Sequence, residues 1–217
     1  MKFLLFFLCL LPATAESLRY SINWASGLSL GEATLRADKN KEAWDFEVTM
    51  DASIPGFALR DDYRSAATVD LCSLELDKTF THGARKDDEK VTFDQQNHTA
   101  TRQTQNGGGK TDLSVSACAK DALTFMQFAR NELAQGRLAP QQQIDFGALY
   151  NIRMEYTGPQ KIKLGDQGVD ADRILATIKG PTTDLTVEIF FARDAARTPL
   201  LARIPLTLGS FTVELVR

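Results

Sequence analysis

Three groups of residues in this 217-residue sequence have types and spacings that chemistry could use. The first is Gly27-Leu28-Ser29-Leu30-Gly31, which fits the Gly-x-Ser-x-Gly pattern of a serine-hydrolase elbow. An elbow holds its serine on a sharp turn between a strand and a helix, with a histidine base supplied from elsewhere. Here a strand-like segment precedes the motif, but residues 32–37 alternate as a second strand rather than a helix. The two histidines, His82 and His98, sit in polar segments with no supporting pattern. The glycines therefore read as hairpin and bulge residues, and no catalytic residue is assigned.

The second group is acidic. Asp61-Asp62 and Asp87-Asp88-Glu89 could serve acid–base chemistry or hold calcium. Neither has the alternating ligand spacing of a calcium loop, and Arg60, Arg64, Arg85, Lys86 and Lys90 stand beside them. Local ion pairing or solvated turns is the expectation, with no metal site and no cofactor. Asn97-His98-Thr99 has the form of a glycosylation acceptor, relevant only to a eukaryotic secretory pathway.

The third group is the cysteines. Cys9 lies inside an apolar run, residues 3–11, that follows Met1-Lys2 and ends at Pro12. Nine residues span about 14 Å as a helix, roughly half a bilayer core, which is too short for an anchor. The run is followed by Ala13-Thr14-Ala15, small residues where a signal peptidase cuts. A leader over residues 1–15, cleaved after Ala15, is expected to send the chain to the periplasm. Phe6-Phe7-Leu8 lacks the small residue that precedes a lipidated cysteine. Cleavage leaves one pair, Cys72 and Cys118, which an oxidising compartment would join as a disulfide. A metal site would need more clustered ligands and a redox site a Cys-x-x-Cys.

The elements that must carry these residues are almost all strands. Leu18, Tyr20, Ile22 and Trp24 alternate with polar residues, as do Trp44, Phe46, Val48 and Met50. That period of two marks antiparallel strands with one face on a core. Further strands are expected at residues 63–69, 74–80, 91–93, 142–146, 150–156, 161–164, 172–178, 185–191, 200–208 and 211–216. Residues 98–105, with almost no apolar face, read as an exposed or edge strand. Between them, Ala122, Phe125, Met126, Ala129 and Leu133 fall at spacings of three and four, which predicts one amphipathic helix. Asp121 would cap its start and Gly136 stop it. A mostly β domain over residues 16–217 follows, a curved antiparallel sheet or half-open barrel around one main α-helix. The aromatic residues Trp24, Trp44, Phe46, Phe57 and Tyr63, with Phe125, Met126 and Phe128, either pack a core or line an apolar cavity. Trp24, Trp44, Phe46, Phe125 and Met126 are the candidate cavity residues.

Placed in order, several stretches resemble the bacterial family known as domain of unknown function 3108. They are LRYSINW at 18–24 with GEATL at 31–35, VTFD at 91–94, KDALTFMQFAR at 120–130, and DAARTPL at 194–200 with LGSF at 208–211. The resemblance implies a secreted, mostly antiparallel β protein with one helix, from a Gram-negative-type cell envelope. It carries no catalytic residues to transfer. By analogy the architecture is similar to the half-barrel of periplasmic lipoprotein carriers.

Lys and Arg total 25 against 28 Asp and Glu, a formal charge of −3 that argues against nucleic acid as a partner. The expected role is a non-enzymatic envelope protein that is not integral to the membrane and binds an apolar or lipid-like ligand. The alternative is an envelope scaffold or assembly factor acting through protein contacts, and a hydrolase is disfavoured.

Overall fold

The computed structural model describes residues 14–54, 57–105, 107–206 and 209–217. Most of the expected leader, residues 1–13, lies outside the described residues, as does Cys9. The chain runs β1 (Thr14–Trp24), β2 (Ser29–Lys39), β3 (Ala43–Ile54), β4 (Phe57–Thr68), β5 (Ser73–His82), β6 (Arg85–Asp94), β7 (Thr99–Thr104) and β8 (Gly109–Ser114). A short β9 (Lys120–Asp121) leads into α1 (Ala122–Ala134). Then come β10 (Gln142–Asp145), β11 (Leu149–Leu164), β12 (Gln167–Lys179), β13 (Asp184–Ala192), β14 (Pro199–Leu206) and β15 (Gly209–Leu215).

All fifteen strands form one sheet, in the order β8-β7-β6-β5-β4-β3-β2-β1-β15-β14-β13-β12-β11-β10-β9. It is two meanders joined at the middle, where β15 pairs antiparallel with β1 from Tyr20↔Leu215 to Trp24↔Phe211. The first and last strands in that order, β8 and β9, do not pair with each other, so the curved sheet is not closed into a barrel. A twisted sheet of this width must curl, and α1 lies in the hollow. On one side the helix packs Leu123 against a cluster that includes Phe46, Leu76 and Phe93. On the other it packs Phe125, Ala129 and Leu133 against Ile144, Ile152, Ile174 and Phe191. Each large side chain so buried contributes about 1.5–3 kcal/mol.

The helix begins and ends as its residues dictate. Asp121 is extended and accepts from the backbone N–H groups of Leu123 and Thr124 at 2.8 and 3.0 Å. Gly136, at φ +75°, takes the left-handed turn after the last helical residues.

Two expectations differ in detail. Residues 150–156 and 161–164 are one strand, not two. Thr157 is an extra residue between the pairs Tyr156↔Ile174 and Gly158↔Arg173, so Gly158-Pro159 marks a bulge that bends β11. Residues 98–105 do not form the sheet edge. β7 pairs on both sides and buries Ala100 completely, while β8 is the edge. Sequence alternation there is weak because Ala100 is the only apolar side chain β7 turns inward.

Cys72 and Cys118 form a disulfide, with Cα atoms 4.6 Å apart. It ties the start of β5 to the segment entering β9, and the adjacent Ser73 N–H donates to the Ala119 carbonyl at 2.9 Å. Closing a loop of this length stabilises a fold by about 4 kcal/mol in the chain-entropy account. The double variant Cys72→Ser/Cys118→Ser is expected to lose about that much in urea unfolding; a loss under about 1 kcal/mol would show that the bridge adds no constraint.

Candidate functional site

The hollow of the sheet is not uniformly filled. On the side of β11–β14 an apolar cavity of about 360 Å³ lies between α1 and the sheet. Its floor is the helix face carrying Ala122, Phe125, Met126 and Ala129. Its walls include Ile152 and Met154 of β11, Ile178 of β12, Val187 of β13 and Ile204 of β14. The Tyr150 phenol is the one polar side chain among its lining residues. Four of its lining residues, Ala122, Ala129, Ala176 and Ala202, are small and leave space that larger side chains would take up.

Of the five candidate cavity residues, Phe125 and Met126 line this space. Trp24 lies elsewhere, edge-on to Phe211 at 4.7 Å in a small cluster with Ile22, Leu30 and Ala52. Trp44 and Phe46 also lie elsewhere, stacked at 5.6 Å and packed with the cluster on the other side of the helix. The reason is topological: β3 faces the filled half of the hollow, β1 carries Trp24 into a separate small cluster, and the cavity is walled largely by β11–β14. Ile152, Met154, Ile178, Val187 and Ile204 were legible as strand residues, but nothing in their alternation set them apart. The small residues Ala122, Ala129, Ala176 and Ala202 among its lining were the available signal.

A polar seam borders the filled half, where the turn after β10 meets β5 and β6. The buried Lys78 Nζ lies 3.2 Å from Glu89 Oε1 and donates to the Phe146 carbonyl at 3.2 Å. Arg102 pairs with the other oxygen of Glu89. Asp145 is 1% exposed; one carboxyl oxygen accepts from the Gly147 N–H at 3.0 Å and the other has no partner among the described residues. Burial pushes the Asp145 carboxyl above its ordinary range, with the Glu89 charge adding to the rise.

Nearby, the buried Asp61 accepts from the Tyr63 hydroxyl at 2.6 Å and faces His82 Nε2 at 2.8 Å. Asp61 is therefore not in a solvated turn; it faces the hollow on β4. Burial, then Asp61, push the Tyr63 phenol up, and its ring meets Phe146 at 5.2 Å. A carboxylate orienting a histidine resembles half of a hydrolytic triad. Among the described residues, however, no hydroxyl or thiol hydrogen-bonds to His82. The motif at Gly27–Gly31 is a hairpin: Leu30 is a bulge residue between Ile22↔Gly31 and Asn23↔Ser29. Gly31 is required there, since a Cβ would lie 2.0 Å from the Asp51 carbonyl oxygen. Asp62, Asp87 and Glu89 pair with Arg64, Arg85 and Lys78 along the strands. No cluster of three or more metal-ligating side chains occurs among the described residues.

A single curved sheet, antiparallel except where β9 pairs parallel with β10, cups one helix and an apolar space and defines a β-barrel-like protein with an open seam. The chain belongs to the family described as protein of unknown function DUF3108, whose model matches residues 19–216. Its fold is similar to the crystal structure of a beta-barrel-like protein of domain of unknown function DUF1849 from Brucella abortus. The TM-score is 0.68 at 7% identity, over 93% of this chain and 95% of that one, a likeness of fold. Comparison with curated protein sequences gives no match.

The raised Asp145 carboxyl fixes a sign. The folded chain keeps this proton at pH values where the unfolded chain has released it, so folding takes up a proton and stability falls as pH rises through that window. Relative to the unsubstituted chain, Asp145→Asn is expected to gain urea stability from about pH 4 towards neutrality. A difference that is flat with pH would show that Asp145 ionises normally in the fold.

Proposed function

We propose that this is a non-enzymatic, exported envelope protein of the periplasm that holds an apolar or lipid-like ligand in the cavity against α1. The observation that carries this is the 360 Å³ space lined by apolar side chains and a single phenol. Ligand sites have volumes of roughly 300–1,000 Å³ and mostly apolar walls. This one falls at the lower end, the size for one acyl chain or a compact apolar molecule rather than a two-tailed lipid. Met126 and Met154, unbranched and polarisable, suit a wall that adapts to its occupant. Export is supported by the apolar run and the Ala13-Thr14-Ala15 signal of the sequence. The Cys72–Cys118 bridge is compatible with an oxidising compartment. Among the described residues no helix is long and apolar enough to cross a membrane.

Native mass spectrometry of protein recovered under mild extraction is expected to show a co-purifying apolar mass. Repeated absence of such a mass, together with no thermal shift on adding lipids, would favour the scaffold reading instead. Ala176→Phe tests the same site from the other direction, because its new ring enters the cavity. It is expected to weaken lipid uptake at least about tenfold while changing stability by under about 1 kcal/mol, since overpacking a filled core costs 1–3 kcal/mol. Undiminished uptake by this variant would place the ligand elsewhere.

A further inference from the structure

Three cations are buried among the described residues, and two of them hold a carboxylate. Lys78 pairs with Glu89, and Arg130 with both oxygens of Glu16. Lys120, 6% exposed, is the exception. Its Nζ donates to the Cys118 carbonyl at 3.0 Å and lies 3.3 Å from Cys118 Sγ, with the Phe128 ring 4.6 Å away. No carboxylate among the described residues pairs with it. An ammonium buried without an opposite charge is costly. Burial accordingly pushes the Lys120 amine below its ordinary range, with no neighbouring charge to oppose the shift. A closed disulfide offers this cation no counter-charge. An open one does, because Cys118 then carries its negative charge as a thiolate beside the ammonium.

The surroundings of the bridge also favour opening. Leu71, next to Cys72, and Cys118 itself have φ of +61° and +51°, the left-handed region that non-glycine residues avoid. Both cysteines are partly exposed. Strained or exposed bridges are the more readily reduced ones. The two segments are also tied without the sulfurs. Besides the Ser73–Ala119 bond, Gln95 spans both: its Nε2 donates to the Ser73 and Ala119 carbonyls at 2.6 and 3.1 Å, and its Oε1 accepts from the Ala119 N–H at 3.0 Å. Opening the bridge breaks none of these bonds. Cys72, Cys118 and Lys120 are not among the cavity's lining residues.

We propose that Cys72–Cys118 is a thiol–disulfide exchange site for a dithiol partner, with Lys120 stabilising Cys118 as the leaving thiolate. The incoming thiolate attacks Cys72 Sγ, because the sulfur that leaves as the more stable thiolate leaves faster. A bond forms between that sulfur and Cys72, the Cys72–Cys118 bond breaks, and its electron pair departs on Cys118 Sγ. The partner's second thiolate then attacks its own sulfur in the mixed disulfide. Cys72 is released as a thiolate and takes a proton from water. The partner ends as a disulfide, and two electrons have passed to the cysteine pair. The two cysteines are 46 residues apart, so the lysine does here what close spacing does in a Cys-x-x-Cys site.

The test uses dithiothreitol as the dithiol and iodoacetamide as the trap, with peptide mass mapping of Cys72 and Cys118. In the folded chain, without denaturant, both cysteines are expected to become alkylated after dithiothreitol. A bridge that resists until urea unfolds the chain would overturn the proposal, and this measurement needs no variant. Lys120→Met is expected to slow reduction at least about tenfold, and Lys120→Arg to keep most of the rate. Reduction of Lys120→Met at the unsubstituted rate would also overturn it. A second readout separates charge from access. In Cys72→Ser, the pH midpoint of Cys118 alkylation is expected to rise when Lys120→Met is added. An unchanged midpoint would show that Lys120 does not stabilise the thiolate, which removes the basis of the exchange site.

Discussion

The carboxylate of Asp121 is the point on which the two halves of this sheet depend. One oxygen takes the first free N–H groups of α1, and the other accepts from Ser65 Oγ at 2.7 Å, Ser73 Oγ at 2.5 Å and Thr124 Oγ1 at 2.9 Å. Asp121 is fully buried, so every one of these bonds is made away from water, where a missing partner would cost about 1–3 kcal/mol. The effect is positional. α1 and β9 belong to the far edge of the sheet, while Ser65 and Ser73 belong to β4 and β5 of the first meander. A single carboxylate thus brings the second meander's edge against the middle of the first. The disulfide and the Ser73–Ala119 hydrogen bond hold the same place covalently and through the backbone.

Fixing the helix at this point makes the two sides of the hollow unequal. Towards β3–β6 the helix meets large side chains, Phe46, Leu76 and Phe93, with the Trp44 indole beside them. Towards β11–β14 it meets alanines interspersed with Ile and Met, and the space stays open. The buried polar groups follow the same division. Lys78, Glu89, Asp61 and Asp145 line the seam on the filled side, so the cavity is left with almost no polar group to orient a ligand. Such a site discriminates by size and shape more than by hydrogen bonding.

Much of the fold was legible in the sequence because strand alternation and one helical stripe are local patterns. Asp121 and Gly136 delimit the helix, and an isolated cysteine pair in a chain with an export-type start forms the expected bridge. Family membership was legible from the order of weak motifs. What was not legible depends on which strand faces which. Trp24 and Trp44 are conspicuous aromatics on strands, and nothing local distinguishes a tryptophan facing a packed core from one facing a cavity. The Gly158-Pro159 pair looks like a turn and is a bulge, because a bulge and a turn draw on the same residues. The buried role of Asp61 was hidden by its neighbours: beside Asp62 and two arginines it has the composition of a solvated segment, and only alternation along β4 turns it inward to His82 and Tyr63.

The open seam is where this architecture departs from a closed barrel. In a barrel, widening the interior means breaking a ladder of backbone hydrogen bonds along a strand pair. Here β8 and β9 share no ladder, and the contacts that join the meanders across the hollow include the Asp121 bonds, the disulfide, Ser73–Ala119 and the Lys78 contact to Phe146. The first three lie together at the helix start; the Lys78 contact stands apart, at the turn after β10. That turn carries Phe146, which lines the cavity on one side and meets Tyr63 on the other. Displacing it would break the Lys78 contact without unpairing any two strands of the meanders. The seam is therefore held by several bonds at the helix start and by the Lys78–Phe146 contact at the turn after β10, with no strand ladder between β8 and β9.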